Sequence, residues 1–175
     1  IYKMDYAEML RFHRQEKADA TVAAIEVPVE QAASFGVIAV EDTGRIVGFE
    51  EKPRQPKAIP GRPDMAFASM GVYLFDTKKI LEHLRFDALQ DTSHDFGKNI
   101  IPEMMMTSRV CAYNFIDKNK KAAKYWRDVG TIDAYWEANR DLVSVDPLLN
   151  LYDAAWPMRT YQAQNPPAKF VFAQE

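Results

Sequence analysis

Apolar and polar positions in the first third of the chain change from a helical period to a strand period. Residues 5–17 place apolar side chains at intervals of three and four, behind an aspartate that can cap a helix. Residues 20–28 and 36–40 are short, apolar and rich in β-branched side chains, which predicts buried strands. An Asp-Thr-Gly turn at 42–44 separates the second strand from a third at 45–51. This order predicts a β-hairpin.

The rest of the chain mixes the two periods. Residues 53–63 contain four prolines, so they predict a loop. The elements predicted after this loop are a strand at 67–75 that contains Gly71, helices at 77–84 and 96–106 with Pro102 inside the second, a strand at 110–116, a lysine-rich loop at 117–124, and a helix that starts at Thr131. Regular order is expected to end near Pro147. Strands that alternate with helices, with one hairpin among them, predict an α/β fold with a mixed sheet and flanking helices.

Composition narrows the possible classes of function. The 175 residues are 47% hydrophobic and carry a net charge of -3, which supports a domain with a core and lacks the basic excess typical of nucleic-acid-binding proteins. Cys111 is the single cysteine, so no internal disulfide can form and a cytoplasmic location is expected. No apolar run is long enough to span a membrane. Neither a nucleic acid nor a membrane is therefore expected as a partner.

Glu51 and Lys52 stand together at the end of a predicted strand. Neighbouring side chains in a strand point to opposite faces, but a distortion at Pro53 would allow both to enter one pocket. A lysine is a compact charge suited to phosphate, and a carboxylate accepts pairs of sugar hydroxyls. On composition alone, ordinary charges on a surface edge strand are the better-supported interpretation.

Three further clusters each allow a structural and a functional interpretation. Small residues at 68–71 allow either close packing or the approach of a ligand. Ser-His-Asp at 93–95 can cap a helix, whereas adjacent residues cannot form a catalytic triad and a zinc site is not expected. Asp128 can bind Mg²⁺ or simply precede the helix that Thr131 caps, with Trp126 in the core. No glycine-rich phosphate-binding loop is present.

The order of the clusters resembles that of the bacterial ADP-glucose pyrophosphorylases, also called glucose-1-phosphate adenylyltransferases. The resemblance covers essentially the whole chain. The motifs similar to sugar nucleotidyltransferases in general are Phe-Gly-Val at 35–37, Glu-Lys-Pro at 51–53 and Asp-Val-Gly-Thr at 128–131. The motifs that narrow it to the ADP-glucose branch are Ser-His-Asp-Phe-Gly at 93–97, Tyr-Trp-Arg-Asp at 125–128, and the Tyr-Asp, Trp-Pro and Arg-Thr pairs within 152–160.

The resemblance implies a role for each cluster. Lys52 would hold the phosphate of glucose 1-phosphate, and Glu51 would take glucose hydroxyls. Asp128 would be one of two aspartates that bind the catalytic Mg²⁺, so Lys52 and Asp128 are the expected catalytic residues. The other positions expected to line the glucose pocket are Gly36, Ser69, Tyr73, Asp95, Phe96 and Trp126.

The resemblance also implies a domain organisation. The fold would be a partial Rossmann-like nucleotidyltransferase domain of the GT-A-like type, truncated at both ends. Residues 1–146 would be its sugar-phosphate- and metal-binding half, and residues 147–175 a linker toward a left-handed β-helix domain that is absent. The chain would begin immediately after the second metal-binding aspartate, with the nucleotide loop further upstream. The full-length protein would be a homotetramer under allosteric control.

The implied reaction converts ATP and α-D-glucose 1-phosphate to ADP-glucose and pyrophosphate, the first committed step of bacterial glycogen synthesis. The expected partners are these two small molecules. The isolated chain is expected to be inactive because the nucleotide loop and one metal ligand are missing. One alternative is another sugar-1-phosphate nucleotidyltransferase, of the UDP-glucose or dTDP-glucose type. Others are a non-catalytic regulatory subunit that binds sugar phosphates and a purely structural α/β module.

Overall fold

The computed structural model describes residues 1–117, 122–157 and 164–166, and divides the chain into two units, Ile1–Trp126 and Arg127–Glu175. The strands are β1 (Ala20–Pro28), β2 (Gly36–Val40), β3 (Ile46–Glu51), β4 (Met65–Phe75), β5 (Val110–Asn114), β6 (Ile116–Asp117) and β7 (Ala122–Ala123). The helices are α1 (Tyr6–Gln15), α2 (Val29–Ala32), α3 (Thr77–Asp87), a π-helix (Phe96–Ile100), α4 (Ile101–Thr107) and, in the second unit, α5 (Ile132–Leu142).

A mixed five-stranded sheet forms the centre of the first unit, in the order β3-β2-β4-β1-β5. β1 is antiparallel to β4 and parallel to β5, while β2 is antiparallel to both β3 and β4. The predicted hairpin is confirmed as β2–β3, and its turn reaches β5, where the N–H of Ala112 donates to the carbonyl of Gly44 at 2.9 Å. The predicted α/β fold with flanking helices is therefore confirmed.

The helix caps follow the predicted chemistry. The carboxylate of Asp5 accepts a hydrogen bond from the N–H of Ala7 at 2.8 Å and starts α1. The hydroxyl of Thr131 accepts from the N–H of Ala134 at 3.1 Å and starts α5. Each cap satisfies a backbone donor that has no partner inside its helix.

Two predicted elements are wrong in detail. The helix expected at 96–106 is a π-helix followed by α4, and Pro102 lies in the first turn of α4, where a missing N–H costs nothing. The loop expected at 117–124 contains parts of a strand pair, because Asp117 pairs with Ala122 and Ile116 with Ala123. Such short strands give no periodic signal in the sequence. Residues 118–121 of that loop lie outside the described residues.

The core lies on the two faces of the sheet, since side chains alternate along each strand. One face, here called the α1 face, is formed by Met9, Ile25, Val37, Phe115 and their buried neighbours. The other, here called the α4 face, contains the buried side chains Val22, Ile38, Ile46, Ile100, Ile101 and Met104. Along β1, Val22 and Ile25 therefore belong to different faces.

A buried polar contact ties α3 to α4. His83 is almost fully buried; its Nδ1 pairs with the carboxylate of Glu103, and its Nε2 lies 3.2 Å from the hydroxyl oxygen of Ser108. Because buried polar groups are costly without partners, this contact fixes one helix against the other.

In the second unit, residues 143–157 and 164–166 form turns and irregular segments after α5. Most of the linker expected at 147–175, including positions 158–163 and 167–175, lies outside the described residues. None of the helices in the part of the chain that the structure describes is long and apolar enough to cross a membrane.

Candidate functional site

β3 ends in a backbone distortion at Lys52. This residue has a φ of +50°, a conformation that non-glycine residues rarely adopt, and its N–H donates to the carbonyl of Phe35 at 3.0 Å. Pro53 follows and cannot extend the ladder. The strand therefore breaks one residue before the proline at which the distortion was expected. The side chain of Lys52 is exposed at this break.

The carboxylate of Glu51 lies between two glycines. Its Oε2 would be only 2.9 Å from a Cβ added at Gly36 and 3.0 Å from one added at Gly97. The ring of Phe49 would lie 2.8 Å from the same added atom at Gly36. No larger residue fits at Gly36 without moving the Glu51 carboxylate or the Phe49 ring.

Ser69 and Tyr73 lie on the α4 face, on either side of a bulge in β4. Ser69 pairs with Ala24 and Tyr73 with Val22, so four steps along β4 match two steps along β1. Gly71, with a φ of +69°, lies inside this irregularity. Ala24 and Val22 both belong to the α4 face, so Ser69 and Tyr73 share that face, and the two extra residues between them preserve the alternation of faces.

The rings of Tyr73 and Phe96 stack at the open edge of this face. Their centroids are 6.0 Å apart and their planes differ by 17°, and the ring of Phe75 lies 5.9 Å from that of Phe96. Burial raises the pKa of the Tyr73 hydroxyl, a hydrogen bond with Ser69 opposes this, and the charges of Glu51 and Asp95 add to it. The hydroxyl therefore stays protonated at neutral pH and can donate a hydrogen bond.

The Ser93–Asp95 segment caps the π-helix, as the structural interpretation predicted. Asp95 accepts a hydrogen bond from the N–H of Lys98 at 2.8 Å. Ser93 donates to Asn99, and His94 pairs with Asp87, so Ser93, His94 and Asp95 do not form a hydrogen-bonded triad. The rejection of a catalytic triad is confirmed.

Trp126 lies apart from the other expected glucose contacts. It packs with the α1 face, where its ring centroid is 5.1 Å from that of Phe35. Phe35 in turn holds the backbone of Lys52 through its carbonyl. Trp126 thus supports the backbone that carries Lys52, and its contact with glucose stays a prediction.

Asp128 belongs to the second unit and exposes its carboxylate. Its Oδ2 lies 3.0 Å from the position of a Cβ added at Gly130. The neighbouring Arg127 forms ion pairs with Asp141 at 2.8 Å and with Glu137 at 3.1 Å, which fix this segment to α5. Within the described ranges, no group of three or more histidine, cysteine, aspartate or glutamate side chains is placed to hold a metal.

The structure thus brings Gly36, Glu51, Ser69, Tyr73, Asp95 and Phe96 to one side of the sheet, with Lys52 at its margin. Sequence reasoning missed Phe49 and Gly97, which enclose the Glu51 carboxylate. Gly97 stood inside a motif that was recognised as a whole, but its role depends on its closeness to Glu51. Phe49 carried no signal apart from its place two residues before Glu51 in the same strand.

Comparisons with known proteins agree with this geometry. A family model described as nucleotidyl transferase matches residues 1–145. The chain is 52% identical to the glucose-1-phosphate adenylyltransferase of Paramagnetospirillum magneticum over 180 residues, and 52% identical to that of Rhodopirellula baltica over 176 residues. It is 53% identical to that of Methylobacillus flagellatus over 179 residues.

All three alignments cover 100% of this chain and 40 to 42% of the relative. The chain therefore spans about two fifths of the length of the curated relatives that it matches. The family model covers far more than half of the chain, and a nucleotidyl transferase domain is consistent with the mixed five-stranded sheet and its flanking helices. The chain belongs to the nucleotidyl transferase family.

Proposed function

We propose that this chain is the glucose-1-phosphate-binding part of a glucose-1-phosphate adenylyltransferase. The observation that carries the proposal is the Glu51 carboxylate, held between two glycines beside the stacked rings of Tyr73 and Phe96. A carboxylate accepts two sugar hydroxyls, and an aromatic face packs against the C–H surface of a hexose. The 52% identity to enzymes of that name supports the same substrate.

Lys52 is proposed to bind the phosphate of the sugar. It lies exposed where β3 breaks, next to the carboxylate that would orient the glucose ring. An ammonium group is a compact charge and a strong partner for a phosphate oxygen, which it can reach on its flexible stem. The hydrogen bond from the Lys52 N–H to Phe35 fixes the backbone from which this stem starts.

The proposed reaction is an in-line displacement. A phosphate oxygen of α-D-glucose 1-phosphate forms a bond to the α-phosphorus of ATP, the bond from that phosphorus to the bridging oxygen breaks, and pyrophosphate leaves with the electron pair. Because no side chain needs to become covalently modified, orientation by Glu51 and charge neutralisation by Lys52 are the contributions of this chain. ATP itself is expected to bind mainly through residues outside it.

Asp128 is proposed to be one ligand of a catalytic Mg²⁺. Its exposed carboxylate is the hard oxygen donor that this ion takes, and Mg²⁺ often binds through one or two carboxylates together with substrate phosphates. The ion would neutralise charge on the transferring phosphate.

The chain is further proposed to belong to a longer, cytoplasmic, homotetrameric enzyme. The family model ends at residue 145, which supports a boundary near 146 between a GT-A-like catalytic half and a linker at 147–175. The relatives are more than twice as long as this chain, which leaves room for a nucleotide-binding part and a further domain. Light scattering of the full-length protein would test the tetramer.

The test is pyrophosphate release by the full-length protein that carries this sequence, with α-glucose 1-phosphate and Mg²⁺. ATP, UTP, dTTP and GTP are compared, and an Asp128→Asn variant is assayed over a range of Mg²⁺ concentrations. We expect activity with ATP, and a higher Mg²⁺ requirement in the variant. Preference for UTP or dTTP would keep the fold and replace the substrate. No activity with any triphosphate, from a folded protein, would favour a non-catalytic subunit that binds sugar phosphates.

A further inference from the structure

The loop between α3 and the π-helix leads directly into two residues of the candidate site, Asp95, which caps the π-helix, and Phe96, its first residue. The side chain of Phe96 is 39% exposed. Phe96 meets the sheet through its stacking on Tyr73. Both residues directly follow residues 92–94, so the conformation of this loop contributes to their position.

Asp87, the last residue of α3, receives hydrogen bonds from two side chains of this loop. It is buried, and its carboxylate accepts from the hydroxyl of Thr92 at 2.8 Å and from Nδ1 of His94 at 2.6 Å. Because the carboxylate accepts and does not donate, the ring of His94 carries its proton on Nδ1. The bond from His94 lowers the pKa of Asp87, so the carboxylate is ionised at neutral pH.

The loop backbone is held in an unusual conformation by these contacts. His94 has a φ of +54°, and its N–H donates to the hydroxyl of Thr92 at 3.1 Å. On the other side, Asn99 accepts from the hydroxyl of Ser93 at 2.8 Å and from the N–H of Asp95 at 3.0 Å. A non-glycine residue keeps such a conformation only where the surrounding contacts determine it.

The carboxylate that receives these bonds is itself part of a rigid element. α3 is joined to α4 by the buried pairing of His83 with Glu103 and Ser108. α4 contributes Ile101 and Met104 to the core of the α4 face. Because α3 is held against α4 and the core, the hydrogen bonds that Asp87 accepts hold Thr92 and His94 at a fixed place relative to the core.

We infer that Asp87 and His94 form a latch that positions Asp95 and Phe96 for binding of the sugar phosphate. Both are positioning residues and neither is expected to touch the substrate. This inference rests on the proposed function, because it names glucose 1-phosphate as the ligand whose binding the latch serves. Release of the latch frees the loop, so affinity for the sugar phosphate falls while the rest of the domain stays folded.

Three variants of the full-length protein distinguish the loss of the Asp87–His94 contact from a general loss of folding. Asp87→Ala removes the acceptor and leaves the loop sequence unchanged, while His94→Gly removes the imidazole and keeps the positive φ accessible. His94→Asn is the rescue variant, because its Nδ2 occupies the position of the histidine Nδ1 and asparagine tolerates this conformation. Amide hydrogen exchange of residues 92–100 and steady-state KM values are measured for each, with exchange in β1 as the control for folding.

The latch predicts faster exchange at 92–100 in both disrupting variants, with exchange in β1 unchanged. It also predicts that their KM for glucose 1-phosphate rises about tenfold while KM for ATP and kcat stay within about twofold, and that His94→Asn restores both readouts. Unchanged exchange at 92–100, or equal increases in both KM values, would overturn the inference.

A separate measurement distinguishes this inference from the proposed function. If calorimetry shows that the wild-type protein does not bind glucose 1-phosphate, the proposed function fails and the positioning role fails with it. If the wild type binds and Asp87→Ala binds equally well, the proposed function stands and the latch is overturned.

Discussion

The two faces of the central sheet use the same strands but are covered in different ways. The α1 face is closed by a regular helix, capped by Asp5, that buries Met9 completely. The α4 face is covered by a π-helix and α4, and it carries the Glu51 carboxylate and the stacked rings of Tyr73 and Phe96. Regular packing marks the face that supports the fold, and irregular backbone marks the face with the candidate site.

Backbone conformation shows the same contrast. In the described ranges the non-glycine residues with positive φ are Lys17, Lys52 and His94. Lys17 follows α1, where a left-handed residue is an ordinary way to end a helix. Lys52 and His94 both adjoin the candidate site, where strain persists only because neighbouring hydrogen bonds hold it. Both faces contribute to the core, but the candidate site lies on the α4 face, and the following substitutions test that division.

Met9→Ala is expected to give the largest loss of stability. Its side chain is fully buried on the α1 face, and truncation of such a methionine costs about 2–5 kcal/mol of unfolding free energy. Urea denaturation followed by tryptophan fluorescence measures this loss. Met106→Ala is the matched control, because Met106 is 84% exposed and its truncation is expected to change stability by less than about 0.5 kcal/mol. Equal losses in the two variants would contradict the assignment of the core.

Lys52→Ala is expected to raise KM for glucose 1-phosphate about 100-fold, equivalent to about 2.7 kcal/mol of binding free energy, and to leave stability unchanged. Alanine has the same difficulty with a positive φ as lysine, so the backbone strain is not altered. Lys57→Ala, an exposed lysine of the same loop, is the control. Steady-state kinetics that showed the same small change in both variants would remove Lys52 from the site.

Gly36→Ala is expected to lower both the stability of the protein and its affinity for glucose 1-phosphate. The added methyl group would lie within 2.9 Å of the Phe49 ring and the Glu51 carboxylate, so it must move them. Overpacking of this kind costs about 1–3 kcal/mol of stability. KM for glucose 1-phosphate should also rise, by about tenfold, because Glu51 is displaced.

Gly48→Ala provides the matched control for Gly36→Ala. Its added Cβ would lie 3.2 Å from the Cβ of Ala39, in the same hairpin but away from Glu51. Some loss of stability is expected, with KM unchanged. A rise in KM in this variant equal to that of Gly36→Ala would show that the hairpin as a whole, and not the Glu51 carboxylate, determines binding.

The smallest expected effect is a pH dependence of stability that arises on the α1 side at His13. Burial lowers the pKa of this imidazole, which lies with Nδ1 2.8 Å from the hydroxyl of the buried Thr21, while the charges of Asp76 and Asp19 oppose the shift. Since the folded protein favours neutral His13, its contribution is fully present above the unfolded pKa and is lost as the pH falls below about 6.5.

His13→Asn tests this dependence, because asparagine can keep the hydrogen bond to Thr21 and does not titrate. Urea denaturation between pH 5.5 and pH 7.5 should show a flatter profile for the variant than for the wild type. Parallel profiles would show that protonation of His13 is not linked to folding.

The regular parts of the fold could be predicted from the sequence because their pattern is local. The β-branched runs of β1 and β2 predicted the bounds of those strands, and the turn that follows β2 predicted its pairing with β3. The bulge in β4 could not be predicted, because Gly71 alone does not show where the pairing of β4 with β1 shifts. The π-helix was missed because the pattern of apolar residues at 96–106 does not distinguish a π-helix followed by α4 from one continuous α-helix.

The family resemblance named Glu51, Lys52, Tyr73 and Phe96 as expected site residues. The structure places Glu51, Tyr73 and Phe96 on the α4 face and Lys52 at its margin, and their roles in binding stay predictions. The enclosure of Glu51 by Gly97 depends on a contact between segments far apart in sequence. Trp126 was named with the same set, but its ring packs on the opposite face against Phe35, which no local pattern could reveal.

Calorimetric titration of the full-length protein with α-glucose 1-phosphate tests the division between the two faces most directly. Wild type, Lys52→Ala and Met9→Ala are titrated under conditions in which urea denaturation shows each to be folded. The division predicts that Lys52→Ala loses affinity with unchanged stability, and that Met9→Ala loses stability with unchanged affinity. Wild-type affinity in Lys52→Ala, or an equal loss of affinity in both variants, would contradict it.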